Sequence, residues 1–273
     1  MKEVQLSVII PCFNGGTYLM EAIESVQANI GNIGYEIIIV NDGSTDYETI
    51  ELLDKINIRH VVIVHQENKG PAAARNTGIK KSKGAFLLFL DSDNKIRENY
   101  FTKGLSILMS NTEIGVVYGN PHFFGEDVGP RFKSEKFDKF KILRHNYIDM
   151  CTLMKKSVWI EEGEFDEESS IIGYEDWEYW IRLSNTKWKF YFLDEVCFDY
   201  RIRSNSLVMT TLDGEKIRRM REYILLKHFY KTVDNYQILY NLRKYESNKP
   251  FRTFTKNVLR KIKGTTGLLT QSS

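Results

Sequence analysis

The sequence has few cysteines, and it lacks long apolar runs, low-complexity tracts and internal repeats. Its three cysteines, Cys12, Cys151 and Cys197, are too scattered for a disulfide framework or a zinc site. We therefore expect a reducing compartment and buried or incidental thiols. No stretch approaches the roughly 18 consecutive apolar residues that span a bilayer. The short apolar stretch near the N-terminus has no cleavage-like site, so we expect neither a membrane-spanning helix nor a signal peptide.

Two phosphate-binding motifs are also absent. No G-x-G-x-x-G follows the first apolar run, which argues against a dinucleotide-dependent dehydrogenase. Residues 11–16 contain two glycines but no Lys or Arg, whereas a nucleotidyltransferase that makes sugar nucleotides needs basic residues in that loop. Release of diphosphate from a nucleoside triphosphate would revive the nucleotidyltransferase alternative.

Charge is balanced overall but unevenly distributed. The chain has 38 Lys+Arg and 36 Asp+Glu, and residues 201–273 hold 16 of the basic residues but only 5 of the acidic ones. An acidic body with a basic tail indicates a partner for the tail. A hydrophobic content of 42% is ample for a globular core of one or two domains.

Short apolar runs alternate with helical patterns in the first part of the chain. Strands are predicted at residues 6–10, 36–40, 61–64 and 86–90, with a helical pattern after each of the first three. This alternation predicts an α/β fold with a mostly parallel sheet flanked by helices. Thr17 is a candidate cap for the first helix, and Pro71 fits the first position of the third.

The pattern continues less regularly beyond residue 99. We predict a helix from residue 101, a helix at 177–184, and strands at residues 115–119, 151–154, 189–193 and 196–200. Residues 121–141 are rich in Gly, Phe and charge without periodicity, which predicts an irregular segment over the site.

One acidic turn follows a strand that has no polar face. Five apolar residues, 86–90, lead directly into Asp91-Ser92-Asp93. Carboxylates at such a place are costly unless they are paired, and two of them can hold a divalent cation that in turn holds phosphate. A solvated acidic turn is the simpler interpretation of this motif alone. Polar turns also follow the first two strands, and ligands of such sheets bind beyond the carboxyl ends of the strands. The three turns together therefore predict one site.

Two further acids, Glu175 and Asp176, open the helix predicted at residues 177–184. The helix macrodipole favours the ionised form there, so helix-end acidity is a sufficient structural reason for them, and a base at this place should be weak. A carboxylate opposite a leaving group can also accept the proton of an attacking hydroxyl. One such base, with a metal that carries a leaving diphosphate, is a minimal apparatus for single displacement.

Five motifs occur in one order along the chain. They are V-I-I-P-C-F-N at 8–14, V-N-D-G-S-T-D at 40–46, N-K-G-P-A-A-A-R-N-T-G at 68–78, F-L-D-S-D at 89–93 and G-Y-E-D-W-E-Y-W-I-R-L at 173–183. In this order they resemble family 2 inverting glycosyltransferases with the GT-A nucleotide-sugar-binding fold. The resemblance implies a catalytic domain at residues 1–210 and a basic helical C-terminal extension at 211–273. It further implies transfer of a sugar from a UDP-sugar to a glycan or lipid-linked acceptor, in cell-surface polysaccharide biosynthesis at the cytoplasmic side of the membrane.

The resemblance assigns donor-side roles to five residues. Pro11 and Phe13 would border the nucleotide base, and Asp42 would accept a hydrogen bond from uracil. Arg75 would lie near the base or the diphosphate. Asp91 would face the ribose or the transferred sugar.

The resemblance likewise assigns the metal and acceptor sides. Asp93 would ligate Mn²⁺ or Mg²⁺ on the diphosphate, which suits a hard cation with oxygen ligands. Asp176 would be the general base for the acceptor hydroxyl. Glu175 would help to orient the acceptor, and Trp177 would line the acceptor side.

Two positions depart from the family pattern. Relatives often have a His two residues after Tyr-Arg, where this chain has Arg203, and many read D-x-D-D, where this chain has Asn94. Arg cannot ligate a metal but can pair with phosphate. We therefore predict that Arg203 helps to hold the diphosphate and that the metal has fewer protein ligands. The alternative is a surface Arg at the start of the basic tail.

The basic tail contains two helical patterns. Residues 214–231 interleave apolar and basic residues, and residues 251–263 place their apolar residues on one face and basic residues on much of the rest. A helix lying on an anionic membrane surface has this pattern, which would make the protein peripheral on the membrane. A helix docked on the catalytic domain with a solvated basic face is the alternative. No recognition motif supports nucleic acid as a partner. A non-catalytic nucleotide-sugar-binding or glycan-binding protein is the third functional alternative, and the acidic pair and the metal motif together argue against it.

Overall fold

The computed structural model describes residues 3–126, 131–204 and 214–229, together with residues 231 and 233. The strands and helices described below lie in one compact unit, Met1–Phe229. The helix predicted at residues 251–263 lies outside the described residues.

The first part of the fold alternates strands and helices as predicted. Its elements are β1 (Leu6–Cys12), α1 (Gly16–Asn29), β2 (Tyr35–Asp42), α2 (Tyr47–Lys55), β3 (Val61–Gln66), α3 (Pro71–Lys81) and β4 (Phe86–Phe89). β1 pairs in parallel with both β2 and β4, and β2 pairs in parallel with β3. Successive side chains of a strand face opposite sides of the sheet. Val8 and Ile10 therefore belong to one buried cluster and Ile9 to the other. Both faces of β1 are covered at these positions, so residues 8–10 are all apolar.

The second part adds the remaining strands and helices. They are β5 (Lys95–Ile96), α4 (Leu105–Ser110) after a π-helical turn, β6 (Ile114–Gly125), α5 (Lys139–Ile142), β7 (Leu153–Lys155), α6 (Lys156–Glu162), α7 (Glu175–Leu183), β8 (Lys189–Ile202) and α8 (Gly214–Lys227). The strand order is β3-β2-β1-β4-β7-β6-β8-β5 in one eight-stranded sheet. β7 is antiparallel to β4 and β6, and β5 is antiparallel to β8, while β6 and β8 are parallel. The sheet is therefore mostly parallel, as predicted.

Three local predictions are wrong for identifiable reasons. The strands predicted at 189–193 and 196–200 form one strand, β8, because the register with β6 skips residues 194–195 in a bulge. Residues 121–125 continue β6 and are not irregular. The N-cap of α1 is Gly15, without a side-chain cap, so Thr17 does not have the predicted role.

Helix α8 packs on the core of the same compact unit, although residues 211–273 were predicted to form an extension. Met220 and Ile224 are buried in the same cluster as α7. Tyr223 Oη donates to Asp166 Oδ2 at 2.8 Å, and Lys227 Nζ lies 2.5 Å from the same oxygen. Helix α8 is therefore docked on the rest of this unit, while the choice between a docked and a membrane-bound helix at residues 251–263 stays open. Among the described residues, no helix combines the length and apolar character needed to cross a membrane.

Candidate active site

The turns that follow β1, β2 and β4 meet at one edge of the sheet. Asn14 adopts a left-handed backbone with φ 51°, and its Oδ1 accepts from the backbone N–H groups of Thr45 at 2.8 Å and Asp46 at 3.2 Å. A Cβ atom on Gly15 would lie 2.6 Å from Ser92 Oγ, so the first turn also abuts the third. The structure thus brings together the three turns that the sequence predicted to form one site.

Arg75 braces the third turn against the start of α7. Its side chain is buried, with 4% of the residue exposed. Nη2 donates to Asp91 Oδ1 at 2.8 Å, and Nη1 donates to Glu175 Oε1 at 2.5 Å. Burial opposes the charge on Arg75, but the two carboxylates outweigh it and raise the pKa of the guanidinium. The other oxygen of Glu175 accepts from the backbone N–H of Gly173 at 2.7 Å. Arg75 therefore joins α3, the end of β4 and α7, and its contact with the nucleotide stays a prediction.

The end of β8 binds the same acidic turn. Arg203 Nη2 lies 2.7 Å from Asp93 Oδ2, and Arg201 Nε donates to the backbone oxygen of Asp93 at 3.0 Å. The backbone N–H of Arg201 donates to the buried Asn94 Oδ1 at 2.8 Å. Burial raises the pKa of Asp93, and the charge of Arg203 opposes this shift. Arg203 therefore pairs with the acidic turn and is not a free surface residue. Asn94 has a structural role, and a second aspartate would perform it less well because an added charge would be buried there.

Asp176 is held by two donors at the start of α7. Its Oδ1 accepts from the backbone N–H of Trp177 at 2.6 Å, and its Oδ2 accepts from Asn146 Nδ2 at 2.9 Å. Burial raises the pKa of Asp176 well above its usual value, and the charges of Glu175 and Asp149 raise it further. The expectation of a weak base was wrong because burial and neighbouring carboxylates outweigh the macrodipole of this helix.

Sequence reasoning missed Asp149, a third acid of this region. Its Oδ1 accepts from the backbone N–H of Cys151 at 2.8 Å. Burial, followed by the charge of Asp91, raises the pKa of Asp149 to about 7. Burial and the charges of Asp149, Asp91, Asp93 and Asp176 raise the pKa of the Tyr200 hydroxyl, on β8. Residues 143–152 have no periodic pattern, so no signal in the sequence marked Asp149.

The predicted base-binding residues differ in how accessible they are. Phe13 is 49% exposed on the first turn, and Pro11 is half-buried. Asp42 is only 3% exposed. Its oxygens accept from Gln66 Nε2 at 2.7 Å and from the backbone N–H groups of residues 69–70 at 2.9 and 2.8 Å. Asp42 thus ties β2 to the loop before α3, and its predicted contact with uracil would use its remaining lone pairs.

Trp177 does not occupy the open position that an acceptor contact needs. It is 2% exposed, and its indole N–H donates to the backbone oxygen of Ile142 at 2.5 Å. The sequence correctly placed Trp177, Trp180 and Ile181 on one helical face, and that face is buried in the core. The side chain of Trp177 packs α7 onto the preceding segment.

The acidic turn at residues 91–93 suits a cation that is held partly by the protein and partly by the phosphates of a substrate. Within the described ranges, no three His, Cys, Asp or Glu side chains are grouped as a metal site. Asp93 and Asp91 offer carboxylate oxygens close to two arginines. Mg²⁺ is commonly bound through one or two carboxylates plus substrate phosphates and waters. The residues present match that mode and do not form an all-protein cage.

The family model for glycosyl transferase family 2 matches residues 7–162. The chain belongs to this family. An uncharacterized glycosyltransferase of Rickettsia prowazekii is 33% identical over 223 residues, which cover 76% of this chain and 67% of the relative. The minor teichoic acid biosynthesis protein GgaB of Bacillus subtilis is 32% identical over 224 residues, or 77% of this chain but 24% of GgaB. This chain also spans only 27% of the length of an uncharacterized glycosyltransferase of Rickettsia bellii.

A solved structure shows the same architecture. S. aureus TarS 1-349, in complex with UDP-GlcNAc, superposes with a TM-score of 0.64 at 21% identity, covering 81% of this chain and 67% of that one. The family match and this likeness confirm the predicted glycosyltransferase with a GT-A fold. They also disfavour the nucleotidyltransferase and dehydrogenase alternatives.

Proposed function

We propose that this glycosyltransferase moves a sugar from a UDP-sugar to a hydroxyl of a glycan or lipid-linked acceptor, with inversion at the anomeric carbon. The observation that carries the proposal is the pair of ion pairs made by Arg75. They join Asp91 to Glu175, at the start of the helix that also holds Asp176. TarS binds UDP-GlcNAc and UDP in crystals, and GgaB is named for teichoic acid biosynthesis. Both support a UDP-sugar donor and a role in cell-surface polysaccharide biosynthesis.

The donor would lie over the three turns. Phe13, which is exposed, and Pro11 would border the uracil. Asp42 would accept from its ring, and Asp91 would face the ribose or the sugar. Arg75 would lie near the base or the diphosphate and would fix Asp91 and Glu175, to which its two terminal nitrogens donate.

Asp93 would hold Mn²⁺ or Mg²⁺ together with the diphosphate. When bound, the cation supplies positive charge against the leaving diphosphate. Arg203, paired with Asp93 by one terminal nitrogen, contributes a second cation that suits phosphate oxygens.

Asp176 would accept the proton of the acceptor hydroxyl. The hydroxyl oxygen forms a bond to the anomeric carbon, the bond from that carbon to the diphosphate oxygen breaks, and UDP leaves with the electron pair. Burial and neighbouring acids make the ionised Asp176 a stronger base than an exposed aspartate. Glu175, fixed by Arg75 and Gly173, helps to orient the acceptor.

The basic tail supports a cytoplasmic protein that is peripheral on the inner face of the cell membrane. Residues 201–273 hold 16 basic and 5 acidic residues, a balance suited to anionic lipids. A lipid-linked acceptor would be presented at that surface.

A donor screen tests the proposal. UDP and a panel of UDP-sugars that includes UDP-GlcNAc are titrated into the protein by calorimetry with Mn²⁺, and hydrolysis of each sugar nucleotide is followed. We expect UDP to bind and at least one UDP-sugar to be hydrolysed slowly without acceptor. Failure to bind UDP or any UDP-sugar would refute the proposed donor.

A further inference from the structure

Residues 142–151, called the strap, lie against the first turns of α7. Trp177 donates its indole N–H to the oxygen of Ile142 at 2.5 Å, and Trp180 donates to the oxygen of Ile148 at 3.1 Å. All four side chains are buried in one cluster. The two indoles therefore anchor both ends of residues 142–148 to the helix that begins the acceptor side of the site.

Asn146 lies between these anchors and reaches Asp176. Its Nδ2 donates to Asp176 Oδ2 at 2.9 Å, and its Oδ1 accepts from the backbone N–H of Ile148 at 3.2 Å. The second bond fixes which way the amide points, because a backbone N–H can only donate. Asp176 Oδ1 accepts from the backbone N–H of Trp177. Each oxygen of the carboxylate thus accepts one fixed hydrogen bond and keeps lone pairs for a substrate hydroxyl.

We propose that Asn146 is a positioning residue for glycosyl transfer, which fixes the Asp176 carboxylate and favours its ionised form. The inference rests on the proposed function, in which Asp176 accepts the acceptor's proton. The amide suits this place because it donates without bringing charge. A lysine there would form an ion pair with the base, and an apolar residue would leave Oδ2 without its donor.

The charges around Asp176 increase the importance of the hydrogen bond that Asn146 donates to it. Glu175 on α7 and Asp149 on the strap disfavour its ionised form, while Arg75 on α3 favours it. The charge of Asp176 in turn contributes to the raised pKa of Tyr200 on β8, after burial and the charges of three other acids. Two carboxylates thus oppose one guanidinium, and the Asn146 amide adds to the few groups that stabilise the charged base.

Two variants and a matched control test the inference. Asn146→Ala removes the donor, and Asn146→Asp keeps the shape but replaces the amide with a second carboxyl beside Asp176. The control is Asn120→Ala, because Asn120 Nδ2 donates to Asp194 Oδ1 at the same 2.9 Å on the surface. Each protein is assayed for hydrolysis of UDP-GlcNAc, or of the best donor from the screen, from pH 5 to 9, and UDP binding reports correct folding.

We expect kcat/KM of Asn146→Ala to fall about tenfold at neutral pH, because a hydrogen bond to a charged group is lost. Removing a donor to the ionised form raises the pKa of Asp176, so the acidic limb of the pH profile should move up by about one pH unit. Asn146→Asp should fall further because it adds a like charge. Asn120→Ala should match the wild type, and UDP binding should be unchanged in all variants.

A second readout does not depend on activity. Protein labelled with ¹³C at the aspartate carboxyl carbons is titrated by NMR, and the Asp176 signal is identified by its loss in Asp176→Asn. Its midpoint should rise in both Asn146 variants but not in Asn120→Ala. Wild-type protein that neither binds UDP nor hydrolyses a UDP-sugar would refute the proposed function, and the titration would still decide the role of Asn146. The inference would be overturned if the Asn146 variants kept the wild-type titration midpoint of Asp176, or if an active variant kept the wild-type pH profile.

Discussion

The two halves of the fold use their carboxylates differently. In the first half, Asp42 accepts from one side-chain and two backbone donors. In the second half, Asp149 and Asp176 accept fewer donors, and burial raises the pKa of each. Asp42, which is rich in donors, fixes the loop before α3. Carboxylates that are buried with few donors are the ones suited to exchange a proton.

Asp93 lies at the junction of these two halves. It follows β4, the last strand of the first half, yet its partner Arg203 follows β8. Burial raises its pKa as in the second half, while an arginine opposes the shift. Under the proposed function, Asp93 would exchange this arginine for the metal ion that the diphosphate brings.

The sharpest test of the comparison is Asp176→Asn. Removal of the proposed general base should lower the transfer rate by about 10²–10⁴-fold, while UDP binding stays near the wild-type value, because none of the proposed UDP contacts involves Asp176. Donor hydrolysis and UDP calorimetry on the same preparation measure both. The matched control is Asp54→Asn on the exposed surface of α2, which should leave both unchanged. Full activity of Asp176→Asn would refute the assignment of the base.

Removal of the Arg75 brace should cost stability as well as activity. Arg75→Met leaves Glu175 buried without its cation, so we expect the free energy of unfolding to fall by about 3–5 kcal/mol. Urea unfolding measures the change. Lys80→Met provides the control, since Lys80 and Glu164 form a half-exposed ion pair and its loss should matter much less. Equal losses in the two variants would contradict the role of Arg75 as a link between the halves.

Asp93→Ala tests whether the junction holds the metal. In the wild type we expect Mn²⁺ to strengthen UDP binding, and in the variant this strengthening should disappear, because Asp93 is the proposed protein ligand. Calorimetric titration of UDP, once with Mn²⁺ and once with a chelator, separates metal-dependent from metal-independent UDP binding. If Mn²⁺ strengthens UDP binding equally in both proteins, another group holds the cation.

The sequence predicts the first half well because each signal there is local. The apolar runs of β1, β2 and β4 are buried on both faces, and a polar turn ends each of them. The second half depends on contacts between distant residues. Asn146 meets Asp176 across 30 positions, and neither periodicity nor a motif marks that pair. The sequence marks Asn94 only as a departure from the family's D-x-D-D pattern, whereas its contact with the backbone of Arg201 depends on how β8 folds back.

A smaller effect concerns Glu178, which lies on α7 away from the site. Its buried carboxylate accepts from His228 Nε2 at 2.7 Å. Burial alone would raise the pKa of Glu178, but the His228 hydrogen bond and the charges of Arg182 and Lys227 prevail and lower it. Glu178 therefore differs from Asp149 and Asp176, because burial determines the shift only where cationic partners are few.

The sign of the Glu178 shift predicts its pH dependence. Because the folded-state pKa is lower than the unfolded one, Glu178 stabilises the fold above the unfolded value and loses this contribution as the pH falls through the folded one. Glu178→Gln should therefore lower the free energy of unfolding by about 2 kcal/mol at pH 7 and by less at pH 4. Urea unfolding at both pH values measures the difference, with Glu24→Gln on the exposed face of α1 as the control. If the difference instead grows toward low pH, burial determines the charge of Glu178, and its partners His228, Arg182 and Lys227 do not.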